Sequence, residues 1–123
     1  MRPSTPIVIK DEFFILEEAY VDSSGHTIWN ITDTQTNKSL VVHTSNSGTL
    51  FIKFFKHHPI TKNCSLLSIT KICEILLERN LKPSINIHYT NTALILLCKK
   101  IGFRKVKDVK HLYRLKKLNN KPI

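Results

Sequence analysis

The side chains best suited to chemistry are few and widely spaced. His57 and His58 sit together before Pro59, and His88 lies in the run Ser84 to Tyr89. Imidazole titrates near neutral pH, so each is a candidate for proton transfer. Adjacent residues of an extended segment point to opposite faces, so His57 and His58 do not suit one metal ion. The three cysteines, Cys64, Cys73 and Cys98, form no CxxC pair and are odd in number. That excludes a disulfide framework and a cysteine-rich zinc site, and reduced, mostly buried thiols are expected. No metal site is expected. Glu17 and Glu18 are further acid–base candidates, with solvated charge as the simpler role. Asn30-Ile-Thr32 and Asn63-Cys-Ser65 fit the glycosylation pattern, but without a secretory signal they are taken as chance.

Charge is divided unevenly. Residues 1–50 carry a balance of −3 and residues 51–123 one of +13, within a formal net charge of +10 over 123 residues. Ten basic residues lie between Lys99 and Lys121, opposed only by Asp108. Such a stripe suits a polyanion: a phosphorylated cofactor, nucleic acid or an anionic surface. The chain has no apolar run long enough for a membrane-spanning helix, and residues 1–11 lack the apolar core of a signal peptide, so a cytoplasmic protein without membrane contact is expected.

The elements that must position these groups change period midway. Phe13–Val21, Thr27–Asp33, Leu40–Thr44 and Leu50–Phe55 are β-branched or aromatic runs separated by Gly, Asn and Ser, the pattern of an antiparallel meander. From Ser65 to Arg79 the apolar positions Leu66, Ile69, Ile72, Cys73, Leu76 and Leu77 recur at helical spacing, and Asn80 and Pro83 stop the run. Ser84–Tyr89 is a short strand. Asn91–Ile101 is a nearly all-apolar helix ending at Gly102, and Phe103–Lys117 supplies one or two further strands. The expected class is α+β, or mixed α/β, in a single domain of 1–123: a meander half 1–49, a second half 50–117 and a tail 118–123.

The segment Asn91-Thr-Ala-Leu-Ile-Leu-Leu-Cys-Lys-Lys-Ile-Gly-Phe103, taken with this element order, resembles the GCN5-related N-acetyltransferase superfamily. Asn91, Leu97, Lys100, Gly102 and Phe103 fall at the spacing of its signature, and Leu112-Tyr113-Arg114-Leu115 looks like its last strand. The resemblance covers roughly residues 50–117. It implies transfer of an acyl group from acetyl-CoA, or another acyl-CoA, to an amine. In the family a glycine-rich loop after the fourth strand holds the pyrophosphate; here that frame falls on Lys62-Asn63-Cys64-Ser65-Leu66-Leu67, with Leu67 where a small residue is usual. The resemblance assigns Lys62, Asn63, Cys64 and Ser65 to the cofactor's phosphates and Asn91 to its pantetheine arm. His57 or His58 would be the base, and Cys98 stands where a tyrosine often protonates the departing thiolate. A thiol of ordinary pKa, ~8.5, is able to donate that proton.

Two other readings remain open: a silent copy of that fold serving as a binding or regulatory module, and a basic nucleic-acid-associated protein. The short first half leaves a sheet edge that a second copy could cover, so a homodimer is also expected.

Overall fold

The computed structural model describes residues 6–52, 60–106 and 112–115, the last four as backbone strand only. His57 and His58 therefore lie outside the described residues, as does most of the basic tail.

The fold is α+β. The strands β1 (Val8–Lys10), β2 (Phe14–Val21), β3 (Thr27–Asp33), β4 (Ser39–Thr44) and β5 (Thr49–Ile52) precede helix α1 (Lys62–Glu78). Strand β6 (Ser84–Asn86), helix α2 (Thr92–Ile101) and strands β7 (Phe103–Lys105) and β8 (Leu112–Leu115) follow. Among the described residues they form one sheet of eight strands in the order β1-β2-β3-β4-β5-β6-β8-β7. All neighbours are antiparallel except β5 and β6, which run parallel and are in register only at Thr49↔Ser84 and Leu50↔Ile85.

Alternation along the strands explains which face is covered. Leu16, Trp29, Ile31, Leu40, Val42, Leu50 and Ile52 point to one face and share a core with Ile69, Ile72, Cys73 and Leu76 of α1 and Leu94, Leu97 and Ile101 of α2. The Trp29 indole Nε1–H donates to Thr44 Oγ1 at 2.9 Å, so its polar atom is satisfied inside that core. Glu18 also points inward. It is held by the Arg79 guanidinium through two bonds of 3.0 Å, which ties the end of α1 to β2.

Local chemistry fixes the parallel pair. Gly48 adopts φ +102°, and a Cβ there would lie 2.7 Å from the Lys82 carbonyl oxygen. Only glycine permits that approach, and it lets Ser84 N–H donate to Gly48 C=O at 3.2 Å where β6 begins. Helix α1 starts at Thr61, whose Oγ1 accepts from Cys64 N–H at 3.3 Å. It ends in a Schellman arrangement, with Asn80 at φ +62° and Leu81 N–H donating to Leu76 C=O at 2.9 Å. Helix α2 is capped by Asn91, and Gly102 follows it at φ +126°.

The structure moves several expected boundaries. The first helix begins at Lys62 rather than Ser65, and the strand read over Ser84–Tyr89 ends at Asn86. Strand β1, pairing Val8↔Glu17 to Lys10↔Ile15, was not anticipated. The expected run Leu50–Phe55 is strand as far as Ile52, beyond which it leaves the described residues. No helix among the described residues is long and apolar enough to cross a membrane.

Candidate functional site

Both helices begin beyond the carboxyl ends of the parallel strands that precede them, α1 after β5 and α2 after β6. Crevices at such ends are where open sheets with parallel strands bind ligands. Here a cavity of about 410 Å³ lies between the two helices, lined by Lys62, Asn63 and Leu66 of α1 and by Thr92, Ala93, Leu96, Leu97 and Lys100 of α2. Helical spacing explains the set: Lys62 and Leu66 are four apart, as are Thr92, Leu96 and Lys100, and Ala93 and Leu97. Leu66, Ala93 and Leu97 provide an apolar wall, while the exposed Lys62 and Lys100 supply two cations.

The residues assigned to phosphate binding separate into two groups. Lys62 and Asn63 are exposed and line the cavity. Cys64 and Ser65 are fully buried in α1, where the Cys64 amide bonds the Thr61 cap and the Ser65 amide donates to Thr61 C=O at 2.9 Å. The expected Lys62–Leu67 loop is thus helix from its first residue. Thr61 caps it, the apolar stripe starts at Cys64, and no glycine interrupts the turn. Leu67 is 40% exposed and does not line the cavity; its neighbour Leu66 does. Ser65 Oγ has no hydrogen-bond partner among the described residues.

A carboxylate already stands at the start of α1. Asp33, buried at the end of β3, accepts from Thr61 N–H at 2.7 Å through Oδ2 and from Gln35 N–H at 2.8 Å and Thr36 N–H at 3.3 Å through Oδ1. Burial raises its pKa, but these donors outweigh it, and the carboxyl is held below its ordinary value. A carboxylate also suits the positive end of the helix dipole.

Asn91 uses its side-chain oxygen to accept from Leu94 N–H at 3.3 Å, capping α2. Cys98 has 0% exposure, and burial pushes its thiol up to about 12. It packs as an apolar residue of α2 facing the core. Cys64 and Cys73 are likewise free and buried, with thiols raised chiefly by desolvation, that of Cys64 to about 11. His88 is exposed, stacks on Tyr89 with ring centroids 4.6 Å apart, and has Nδ1 at 2.7 Å from Thr90 Oγ1. Glu17 is exposed.

Two groupings were missed by sequence reasoning. The wall of the cavity, Leu66 with Ala93, Leu96 and Leu97, joins segments too far apart for local spacing to connect. The other is Asp22, His26 and His43, whose ligand atoms lie within 4.8 Å of one another. A signal for it was present: an Asp four residues before a His at a Ser-Ser-Gly turn, with a second His on the next strand but one in sequence. Comparison of the chain with protein-family models, with curated proteins and with solved structures finds no match.

Proposed function

We propose that the chain is an acyl-CoA-binding domain of the GCN5-related N-acetyltransferase type, passing an acyl group to an amine. The observation that carries this reading is the cavity between α1 and α2, with Lys62 and Lys100 in its lining. Its volume lies near the lower end of the about 300–1,000 Å³ of drug-sized ligand sites, which suits a ligand's elongated arm more than a whole dinucleotide-sized molecule. The pantetheine arm would lie along Leu66, Ala93 and Leu97, with the pyrophosphate at the rim between Lys62 and Lys100. The signature residues Leu97, Lys100, Gly102 and Phe103 support the reading, as does a sheet whose last hairpin lays β8 beside β6.

Because Asp33 and Thr61 occupy part of the α1 start, phosphate binding here would rely on the lysine side chains and the amides of Lys62 and Asn63. In the transfer, the amine nitrogen attacks the thioester carbon, the C–S bond breaks, and the proton lost by nitrogen passes to a base. His57 or His58 is that base in this reading, and a proton returns to the departing sulfur. Backbone amides of the β5 segment would polarise the thioester carbonyl. Cys98 does not serve as the acid: it is buried, and a thiol near 12 gives up its proton poorly.

A second reading is favoured by one observation. Among the described residues, those lining the cavity include no titratable group apart from the two lysines, so a binding module without turnover fits as well. Titration calorimetry with acetyl-CoA tests the shared claim. One-to-one binding, weakened several-fold in Lys62→Ala and again in Lys100→Ala, is expected. Release of free CoA thiol with an added amine then separates enzyme from module. A folded protein that ignores acetyl-CoA, yet binds single-stranded oligonucleotide with steep salt dependence, would establish the nucleic-acid reading instead.

A further inference from the structure

The face of the sheet away from α1 carries a second cluster. Alternation places Ile28 of β3, His43 of β4 and Phe51 of β5 on this face, in the pairs Ile28↔His43 and His43↔Phe51. His26 immediately precedes β3, and its ring stacks on Phe51 with centroids 5.2 Å apart and planes within 10°. Asp22 immediately follows β2. Its Oδ1 accepts from Ser24 N–H at 2.9 Å and His26 N–H at 3.0 Å, so the hairpin turn itself orients the carboxylate and leaves Oδ2 available. Asp22 N–H also donates to His26 C=O at 2.9 Å, closing the hairpin across the two ligands.

We propose that Asp22, His26 and His43 bind a zinc-type divalent ion that pins the β2–β3 hairpin tip to β4. The donor set decides the class: two imidazoles and one carboxylate suit zinc and its neighbours, whereas calcium and magnesium take oxygen ligands. Bonds of about 2.0–2.1 Å in a tetrahedral site set ligand atoms about 3.3 Å apart. The donor atoms already lie within 4.8 Å of one another, so closing to that spacing asks for shifts of about 1.5 Å at most, on the scale of a side-chain rotation. All three groups are half-buried beside Ile28 and Phe51, which limits competition from water on one side. Three protein ligands leave a fourth position open to water. The site stands apart from the two-lysine cavity and does not depend on its assignment.

The test uses the full chain stripped with a chelator, titrated with Zn²⁺, and with Co²⁺ for its visible spectrum. One ion per chain and the absorption of a four-coordinate cobalt site are expected. At a hundredfold excess over Kd the melting temperature should rise by about 10 °C. His26→Gln and His43→Gln should each weaken binding by at least about tenfold, since loss of even an outer-sphere partner costs about 10–100-fold. His57→Gln/His58→Gln should leave binding unchanged. If a histidine variant does not fold, Asp22→Asn, which keeps the turn-capping oxygen, should weaken Zn²⁺ binding by a similar factor. No binding to the folded chain would overturn the proposal. So would binding that survives His26→Gln/His43→Gln, or Asp22→Asn where that pair does not fold, or binding that disappears with His57 and His58.

Discussion

Arg79→Ala gives the most direct test of how the helix layer is fastened to the sheet. The Glu18 side chain is 2% exposed and that of Arg79 35% exposed, and both guanidinium bonds to the carboxylate measure 3.0 Å. Removing one partner of a buried pair costs about 3–5 kcal/mol because the other charge is left without compensation. Two features lower that figure here. Water already reaches the arginine side, and Ile7 N–H still donates to Glu18 Oε1 at 3.3 Å. One feature raises it: the guanidinium carbon sits 5.7 Å from the Trp29 ring centroid, a cation–π contact worth about 0.5–1 kcal/mol. The expected loss is about 3 kcal/mol, or about 10 °C in melting temperature for a chain of this size. Thermal and urea unfolding followed by the emission of Trp29 would measure it, since that is the only tryptophan. Glu18→Gln keeps the shape and should cost less. The double variant should be markedly more stable than the sum of the single losses implies. A loss below about 1 kcal/mol in Arg79→Ala, or strict additivity in the cycle, would refute the claim that this pair anchors α1 to β2.

Two further outcomes follow from the start of α1. The lowered pKa of Asp33 means its stabilising contribution is present above the ordinary value of 3.8 and is lost as pH falls through the lower folded value. Asp33→Asn, which presents an amide N–H₂ to backbone donors, should cost about 1–3 kcal/mol at pH 7 and flatten the acid limb of the stability curve; an unchanged acid limb would assign acid unfolding to other groups. Leu67→Gly should cost about 1 kcal/mol through helix propensity and leave acetyl-CoA affinity unchanged. Tighter binding in that variant would mean Leu67 does obstruct the ligand.

The fold was most legible where one physical signal dominated. Thr27–Asp33 is rich in β-branched residues around Trp29, and the stripe Ile69–Ile72–Cys73–Leu76 repeats at helical spacing, so β3 and α1 could be read directly. Boundaries failed where a polar side chain or a tertiary contact decides. Thr61 extends α1 by a turn because its hydroxyl caps Cys64, a role its identity alone permits but does not require. Strand β1 has three residues and, among the described residues, pairs only with β2, so its existence depends on a neighbour and not on its own pattern. Of the expected phosphate-binding set, Lys62 and Asn63 meet the cavity because they occupy the exposed first turn. Cys64 and Ser65 fall on the buried side of the same turn. A hundred-degree step per residue separates the two outcomes, and a loop frame carried over by resemblance has no such periodicity.

The charge asymmetry of the chain acquires a physical sense once the strands are paired. The half with balance −3 builds the meander, and its turns use carboxylates as hydrogen-bond acceptors: Asp22 at the β2–β3 turn and Asp33 between β3, β4 and α1. Their number reflects backbone amides to be satisfied as much as solvation, which is why an acidic count alone did not reveal the Asp22 cluster. The half with balance +13 places Lys62 and Lys100 at the cavity, Lys99 on an exposed position of α2 and Arg104 and Lys105 on exposed positions of β7. Opposite charge thus concentrates on different elements, with the carboxylates fixed by turns and the cations left on long side chains around a cavity. An anionic ligand would meet the lysines of the α1–α2 cavity, whereas at the hairpin tip Asp22 offers a cation a carboxylate. The two proposed ligands, one a phosphate-bearing thioester and the other a divalent ion, fit that separation in sign as well as in place.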